Sequence, residues 1–352
     1  MPDDRARAPR GPVRSVTLPA ALYRDPALYE RERAEIFAKS WQLFAHEGQL
    51  PAPGAYVADT VAGYPLFVLR GRDGTLRGFH NVCRHRAAPL VDAGAGRCDV
   101  LRCRYHGWLY GHDGSLKKTP LFGEDPSFDR AEFGLFPLRV ETWRGFVIVN
   151  MDMAAAPFAS VHAGFIEECA ELPLEDYRFH SRATHEVACN WKTYVENYLE
   201  AYHVPYVHPA LSKEVDIATY EVVPRGSYML HLSPPRDPQQ ARVNQGFWAF
   251  ALPNWAFNVY GAGAAIERMK PDGCGGMTID YLYMFKASAT EAEIADALRM
   301  SIVTTGEDAR ICAAVQRNLN AGVYSTGRVS PRYENGLAAF HQWVADRLGL
   351  AV

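Results

Sequence analysis

The chain has 352 residues, 48% hydrophobic and 22% charged, a balance that suits an ordinary globular protein long enough for two domains. With 37 basic against 40 acidic residues the net charge is −3, so no overall field favours nucleic acid or an anionic membrane, and no run approaches the ~20 apolar residues of a transmembrane helix. The seven cysteines (Cys83, Cys98, Cys103, Cys169, Cys189, Cys274 and Cys312) are an odd set in a long chain, which argues against a disulfide scaffold and for a reducing, cytoplasmic compartment.

The first stretch, MPDDRARAPRGPVRS, is basic but lacks the apolar centre of a secretory signal, and reads as a disordered arm. Asp25 suits a helix cap and Pro26 a first turn, so a helix is expected over Ala27 to Lys39. From about Trp41 to Asn150 the texture changes to short β-like runs broken by glycine. PLFVLR, Asp73-Gly74 and TLRGFHNV predict a hairpin; a second turn is expected at Asp113-Gly114, and RGFVIVNM reads as a further strand. AAAPFAS (154–160) has the look of a linker. Beyond it, helix is expected at Glu167 to Glu171 and Trp191 to His203, several antiparallel strands over 217–287, and helix again from Glu291 to Leu319. A last helix is expected from Asn335 to Leu348, with Leu337, Phe340, Val344 and Leu348 along one stripe. Strands with flanking helices predict an α+β fold. It divides as an arm and helix (1–40), a small all-β domain (41–153) and a second α+β domain (154–352).

Two stretches carry chemistry. In CRHRAAPLVDAGAGRCDVLRCRYH, Cys83 and His85 form one pair and Cys103 and His106 another, with 17 residues between. Four such ligands would also suit a structural zinc. Here, however, each pair mixes one sulfur with one imidazole, whereas zinc modules tend to pair like with like. Two loops that each give one sulfur and one nitrogen suit a [2Fe–2S] centre in which two histidines replace two cysteines on one iron. Between and beside them, Cys98 reads as a packed or loop thiol, and His80 and His112 as ordinary polar residues. Arg84, Arg86 and Arg104 read as solvated loop arginines.

The second stretch is NWKTYVENYLEAYHVPYVHP (190–209). Glu200 and His203 are three apart and would share a helix face. His203 and His208 are five apart, about 140° round an ideal helix, but Pro205 breaks the turn and can bring His208 back. Two histidines with one carboxylate make the facial triad that holds non-haem iron(II) with positions open for O2. Asp308 is the candidate for the carboxylate, because it shares the apolar stripe of a helix with Cys312, Val315 and Leu319, where an unpaired charge is costly. A first-turn acid after Gly306 is the plainer reading, and Glu307 and Asp296 are the other candidate ligands.

With both stretches in one chain, residues from about 20 to 348 resemble the large (alpha) subunit of the Rieske non-haem iron oxygenases. The runs NVCRHRAAPL and CRYHGWLY carry the likeness in the first half. Glu200-x-x-His203 with His208, and Asp308 in D-x-x-I-x-x-x-x-Q, carry it in the second. The resemblance implies a Rieske cluster on Cys83, His85, Cys103 and His106, and a mononuclear Fe(II) on His203, His208 and Asp308. It implies O2 as co-substrate and a helix-grip catalytic domain, a curved antiparallel sheet around a long helix. Glu200 would bridge His203 to the second cluster histidine, His106, of a neighbouring subunit in a head-to-tail homotrimer. An NAD(P)H-dependent flavin or iron–sulfur reductase would supply electrons to oxidise a small organic molecule. Arg104 stands where the family often has proline, away from ligation.

Ring dioxygenases usually have aspartate where this chain has Glu200, and ENYLEAYH is one residue shorter than their common form. Both departures resemble the branch acting on carnitine, glycine betaine and stachydrine, by N-demethylation or C–N cleavage. Methylammonium groups want aromatic faces, and Tyr198, Tyr202, Phe247, Trp248, Phe250, Trp255, Phe257 and Tyr260 are available. Alternation of Trp248, Phe250 and Leu252 suits a core face equally well. An aromatic-ring or aromatic-acid hydroxylase or O-demethylase, and a Rieske electron carrier without oxygenase activity, are the alternatives.

Overall fold

The computed structural model describes residues 15–233 and 246–351; the expected N-terminal arm lies, except for Ser15, outside them. Asp25 caps α1 (Pro26–Glu32) by accepting from the Ala27 amide, and a single wider turn, Arg33–Phe37, extends it. Ten strands follow: β1 (Gln42–His46), β2 (Ala55–Val61), β3 (Tyr64–Arg70), β4 (Leu76–His80), β5 (Gly94–Arg97), β6 (Leu101–Arg102), β7 (Leu109–Tyr110), β8 (Leu116–Lys118), β9 (Pro137–Trp143) and β10 (Phe146–Asn150). Seven of them form one antiparallel sheet in the order β1-β10-β9-β4-β3-β2-β5, and β6-β7-β8 form a small second one. Both Asp-Gly hairpins form, β3 to β4 and β7 to β8, each at the expected turn.

The stretch expected to be a linker is structured. Phe158 opens α2 (Phe158–Val161), donating its amide to Glu141 and burying its ring against Trp41 and His162; α3 (Ala163–Glu168) follows. A buried phenylalanine in a small-residue run outweighs the composition of its neighbours. A strand absent from the sequence reading, β11 (Tyr177–Val187), edges the second large sheet and pairs with β17 alone.

That sheet runs β11-β17-β16-β15-β14-β13-β12, antiparallel throughout. Its other members are β12 (Glu221–Pro224), β13 (Tyr228–Leu232), β14 (Phe247–Ala251), β15 (Trp255–Val259), β16 (Gly263–Asp272) and β17 (Gly276–Lys286). One face packs on the first sheet, where Trp41, Leu43, Phe146 and Ile148 meet Trp255, Phe257, Ile266 and Leu282. Beside this apolar layer, Asp59 of β2 is held by Arg182, Arg268 and Lys270 of the second sheet, which ties the two sheets together. The opposite face is gripped by α4 (Trp191–Tyr198), α7 (Glu291–Asn320) and α8 (Asn335–Leu348), with α5 (Val204–Val207) and α6 (Leu211–Glu214) at one end. The architecture is α+β of the helix-grip type: a curved antiparallel sheet around a 30-residue helix about 45 Å long. Among the described residues no helix is long and apolar enough to cross a membrane.

Candidate active site

The cluster loops are the same turn built twice. In the first, the Cys83 amide donates to the Ala88 carbonyl and the Ala87 amide to the Cys83 carbonyl. In the second, Cys103 donates to Trp108 and Gly107 to Cys103, all four bonds at 2.9 Å. The fifth residue of each turn has positive φ, Ala87 at 58° and Gly107 at 72°; glycine takes this without strain, whereas alanine is held there by its surroundings. This folding back aims His85 and His106 at one another, their Nδ1 atoms 3.1 Å apart, while Cys83 and Cys103 lie buried beneath. Trp108 stacks on His85 at 4.8 Å, and the Tyr110 hydroxyl lies 3.3 Å from the Cys83 sulfur. Two sulfurs below and two imidazole nitrogens above, on two loops, is the donor set a Rieske cluster needs. Cys98 is half-buried on β5's neighbouring turn, and His80 ends β4 between Tyr64 and Phe136; neither joins the four.

The second constellation departs in detail from the helical expectation. α4 ends at Tyr198, so Glu200 and His203 lie in a tight turn instead of on one helix face. They still meet: the Glu200 carboxylate accepts from the amides of Tyr202 and His203 and from His203 Nδ1, acting as cap and ring anchor together. Pro205 opens the one-turn helix α5, with His203 at its start and His208 at its end. That turn brings the two Nε2 atoms to 3.2 Å. Asp308 faces them from the middle of α7, its Oδ1 lying 3.0 Å from His208 Nε2 and 3.6 Å from His203 Nε2. α7 runs unbroken through Gly306, so Asp308 is no first-turn acid. The helix cap is Thr290, eighteen residues earlier. Its buried stripe continues through Cys312, Gln316 and Leu319, and Val315 instead faces outward.

Ligand bonds of about 2.0–2.2 Å would put neighbouring donor atoms about 3 Å apart, so the three residues fit a metal ion. The surroundings agree. Burial disfavours charge on His208, yet the carboxylates of Asp308 and Glu307 raise its pKa, so the protein presses positive charge on this spot. Asn197 donates to Asp308 Oδ1 at 2.7 Å. Glu307, weighed above only as a ligand, instead takes His208 Nδ1 at 2.7 Å, mirroring Glu200 on the other ring; Asp296 lies at the cavity rim, away from the triad.

A cavity of about 710 Å3 opens from the triad between the sheet and α7. Of the aromatic candidates, Tyr198, Trp248 and Tyr260 line it. Phe250 lies behind Tyr198 in the core, Phe247, Trp255 and Phe257 face the first sheet, and Tyr202 is on the surface against Tyr333. The sequence reading missed Tyr220, His231, Asn258, Glu267 and Tyr281 on the same wall. Burial pushes the Glu267 carboxyl up to about 8 and His231 down to about 3.

Comparison with known proteins agrees with both halves. Residues 40–132 match the Rieske [2Fe–2S] domain, and residues 174–350 match the ring hydroxylating alpha subunit (catalytic domain). The chain belongs to the Rieske ring-hydroxylating oxygenase alpha-subunit family. It is 32% identical to the chloroplastic choline monooxygenase of Beta vulgaris, over 96% of this chain and 78% of that one. It is 30% identical to the carnitine monooxygenase oxygenase subunit of Escherichia coli (strain K12), over 95% and 94%. The crystal structure of the quaternary ammonium Rieske monooxygenase CntA with L-carnitine superposes with a TM-score of 0.84 at 29% identity, covering 94% of this chain and 95% of that one. The oxygenase fold extends to a naphthalene 1,2-dioxygenase with indole bound, at 19% identity and a TM-score of 0.76 over 96% and 93%. This oxygenase is therefore an oxygen-incorporating oxidoreductase. It carries a Rieske cluster and a mononuclear iron, and works with a reductase on a small molecule.

Proposed function

We propose that this oxygenase hydroxylates a carbon beside the nitrogen of a small quaternary ammonium compound, leading to N-demethylation or C–N cleavage. One atom of O2 enters the substrate; the other leaves as water, with two electrons from NAD(P)H through the reductase and two protons. The carrying observation is the cavity that leads to His203, His208 and Asp308, walled by Tyr198, Trp248, Tyr260 and Tyr281. Aromatic faces attract a methylammonium by their quadrupoles. The choline and carnitine monooxygenases among its relatives support the same substrate class.

In this reading Cys83, His85, Cys103 and His106 hold the cluster, and His203, His208 and Asp308 hold the iron. Bound iron(II) supplies open positions for O2. The protein's own groups set up that chemistry. Glu200 and Glu307 each fix one imidazole's tautomer, so that both Nε2 lone pairs point inward. Asn197 keeps Asp308 in place. Glu200 also spans to His106 of the partner subunit in a head-to-tail homotrimer, giving the electron a short path. The division into 1–40, 41–153 and 154–352 belongs to this reading, and so does a cytoplasmic site, which the seven unpaired cysteines support.

The test is substrate-stimulated O2 uptake with a competent reductase, across choline, carnitine, glycine betaine and a set of aromatic acids. Uptake coupled to at least one methylammonium is the expected result. Tight coupling to an aromatic acid, with silence from every methylammonium, would overturn it.

A further inference from the structure

Glu267 occupies the centre of β16. Ala265 and Glu267 turn toward the cavity, and Ile266 and Arg268 turn toward the cluster-bearing sheet. The residue is 7% exposed. Its Oε1 accepts from Asn258 Nδ2 at 2.8 Å, and the Asn258 carbonyl accepts from the Tyr198 hydroxyl at 2.7 Å, which fixes the amide's orientation. Oε2 is buried with no hydrogen-bond partner. A carboxylate in that position is costly unless something compensates it. Burial favours its protonated form; the neighbouring Tyr281 hydroxyl opposes this, and the charge of Asp308 adds to it.

Among the described residues, the cavity wall sets no lysine or arginine against it. Tyr198, Trp248, Tyr260 and Tyr281 present rings, and burial holds the tyrosine hydroxyls neutral. Arg299, the cation among the described lining residues, stands well exposed at the rim and is tied to Asp296 at 2.9 Å. A neutral aromatic ring would leave Oε2 as it is, and an anionic substrate would be repelled.

We infer that Glu267 is the specificity-determining anion of this cavity, its carboxylate charge in the wall selecting cations over neutral molecules of the same shape. A quaternary nitrogen has no N–H to donate, so the contact is charge against charge among aromatic faces. The preference it creates follows net charge and not hydrogen-bond pattern. This rests on the quaternary ammonium reading above.

The experiment compares choline with its neutral carbon isostere, 3,3-dimethylbutan-1-ol, by calorimetric binding to the metal-loaded protein without O2. Wild type is expected to prefer choline by about tenfold or more. Glu267→Gln should bring the two ligands within about twofold, by weakening choline while leaving the isostere unchanged. A Glu267→Gln protein that keeps the wild-type preference overturns the assignment. If that variant fails to fold, as judged by cluster absorbance and melting, Glu267→Asp answers instead. A smaller preference is then expected, and an unchanged one overturns the assignment. A wild type indifferent to charge would overturn the substrate reading itself, whereas a wild-type preference that survives both substitutions sinks only the role of Glu267.

Discussion

The two metal-binding regions of this oxygenase are built in opposite ways. The four residues proposed to hold the cluster lie within 24 consecutive residues, on two turns closed by their own backbone hydrogen bonds. The proposed iron site takes two histidines from a tight turn after α4 and a carboxylate one hundred residues later, from the middle of α7. The first region is local; the second exists only when α4, α7 and the second sheet are packed in register. Damage should therefore separate them. A change at the iron site can leave the cluster intact, and a change in the packing beneath α4 reaches the iron first.

The sharpest separation is His203→Ala. Substrate-dependent O2 uptake should fall to background, while the cluster absorbance persists. Metal content should drop from about three irons and two sulfides per chain to two of each. Unchanged uptake would remove His203 from the iron site.

The packing side of the contrast rests on a buried ion pair. Lys192, in the first turn of α4, and Glu32, at the end of α1, are 0% and 1% exposed, and Glu32 also accepts from the Trp191 indole at 2.8 Å. Lys192→Met strands the carboxylate and should cost about 3–5 kcal/mol in denaturant unfolding, with the double variant Glu32→Gln/Lys192→Met recovering much of it. A single variant as stable as wild type would show that α4 does not depend on this pair.

A gentler perturbation leaves every ligand in place. Glu307→Gln removes the carboxylate that orients His208 and should weaken iron retention about 10- to 100-fold, read by competition with a chelator, with the cluster spectrum unmoved. Retention equal to wild type would reduce Glu307 to a bystander.

The same contrast explains what the sequence disclosed. Cys83, His85, Cys103 and His106, the residues proposed for the cluster, stand out because a local turn writes its side chains at fixed spacing. α8 was legible because Leu337, Phe340, Val344 and Leu348 repeat with the helix, and all are buried. β11 was not. As an edge strand it is exposed or half-exposed along most of its length and reads as RFHSRATHEV, with no apolar alternation to mark it. Gln316 was passed over for Val315 because glutamine usually faces water. Here its side chain accepts from the Asn190 amide and donates to the Tyr23 carbonyl, fastening α7 to the start of α4. The part Glu307 plays on His208, and Glu267 altogether, were hidden for a related reason: each acquires its meaning from a partner that only the fold supplies, His208 across 99 residues in one case and Asn258 across the β15–β16 pair in the other.

The smallest expected effect probes the local region. Tyr110 begins no ligand turn, yet its hydroxyl lies 3.3 Å from the Cys83 sulfur and accepts from the Arg84 amide at 3.1 Å. That amide occupies an oxygen lone pair, and a cluster-bound thiolate carries no proton, so the hydroxyl must donate to sulfur. A hydrogen bond to the sulfur favours the reduced cluster, whose charge is more negative, and so raises the potential. Such a bond to a charged acceptor is worth about 1.5 kcal/mol, and the share of it gained on reduction sets the shift, with a ceiling for a one-electron couple of about 60 mV. Tyr110→Phe should lower the cluster midpoint, by no more than that ceiling, in a redox titration while leaving iron content and the affinity for substrate unchanged. A potential that stays put or rises would mean the hydroxyl does not donate to the sulfur and only braces the Arg84 backbone.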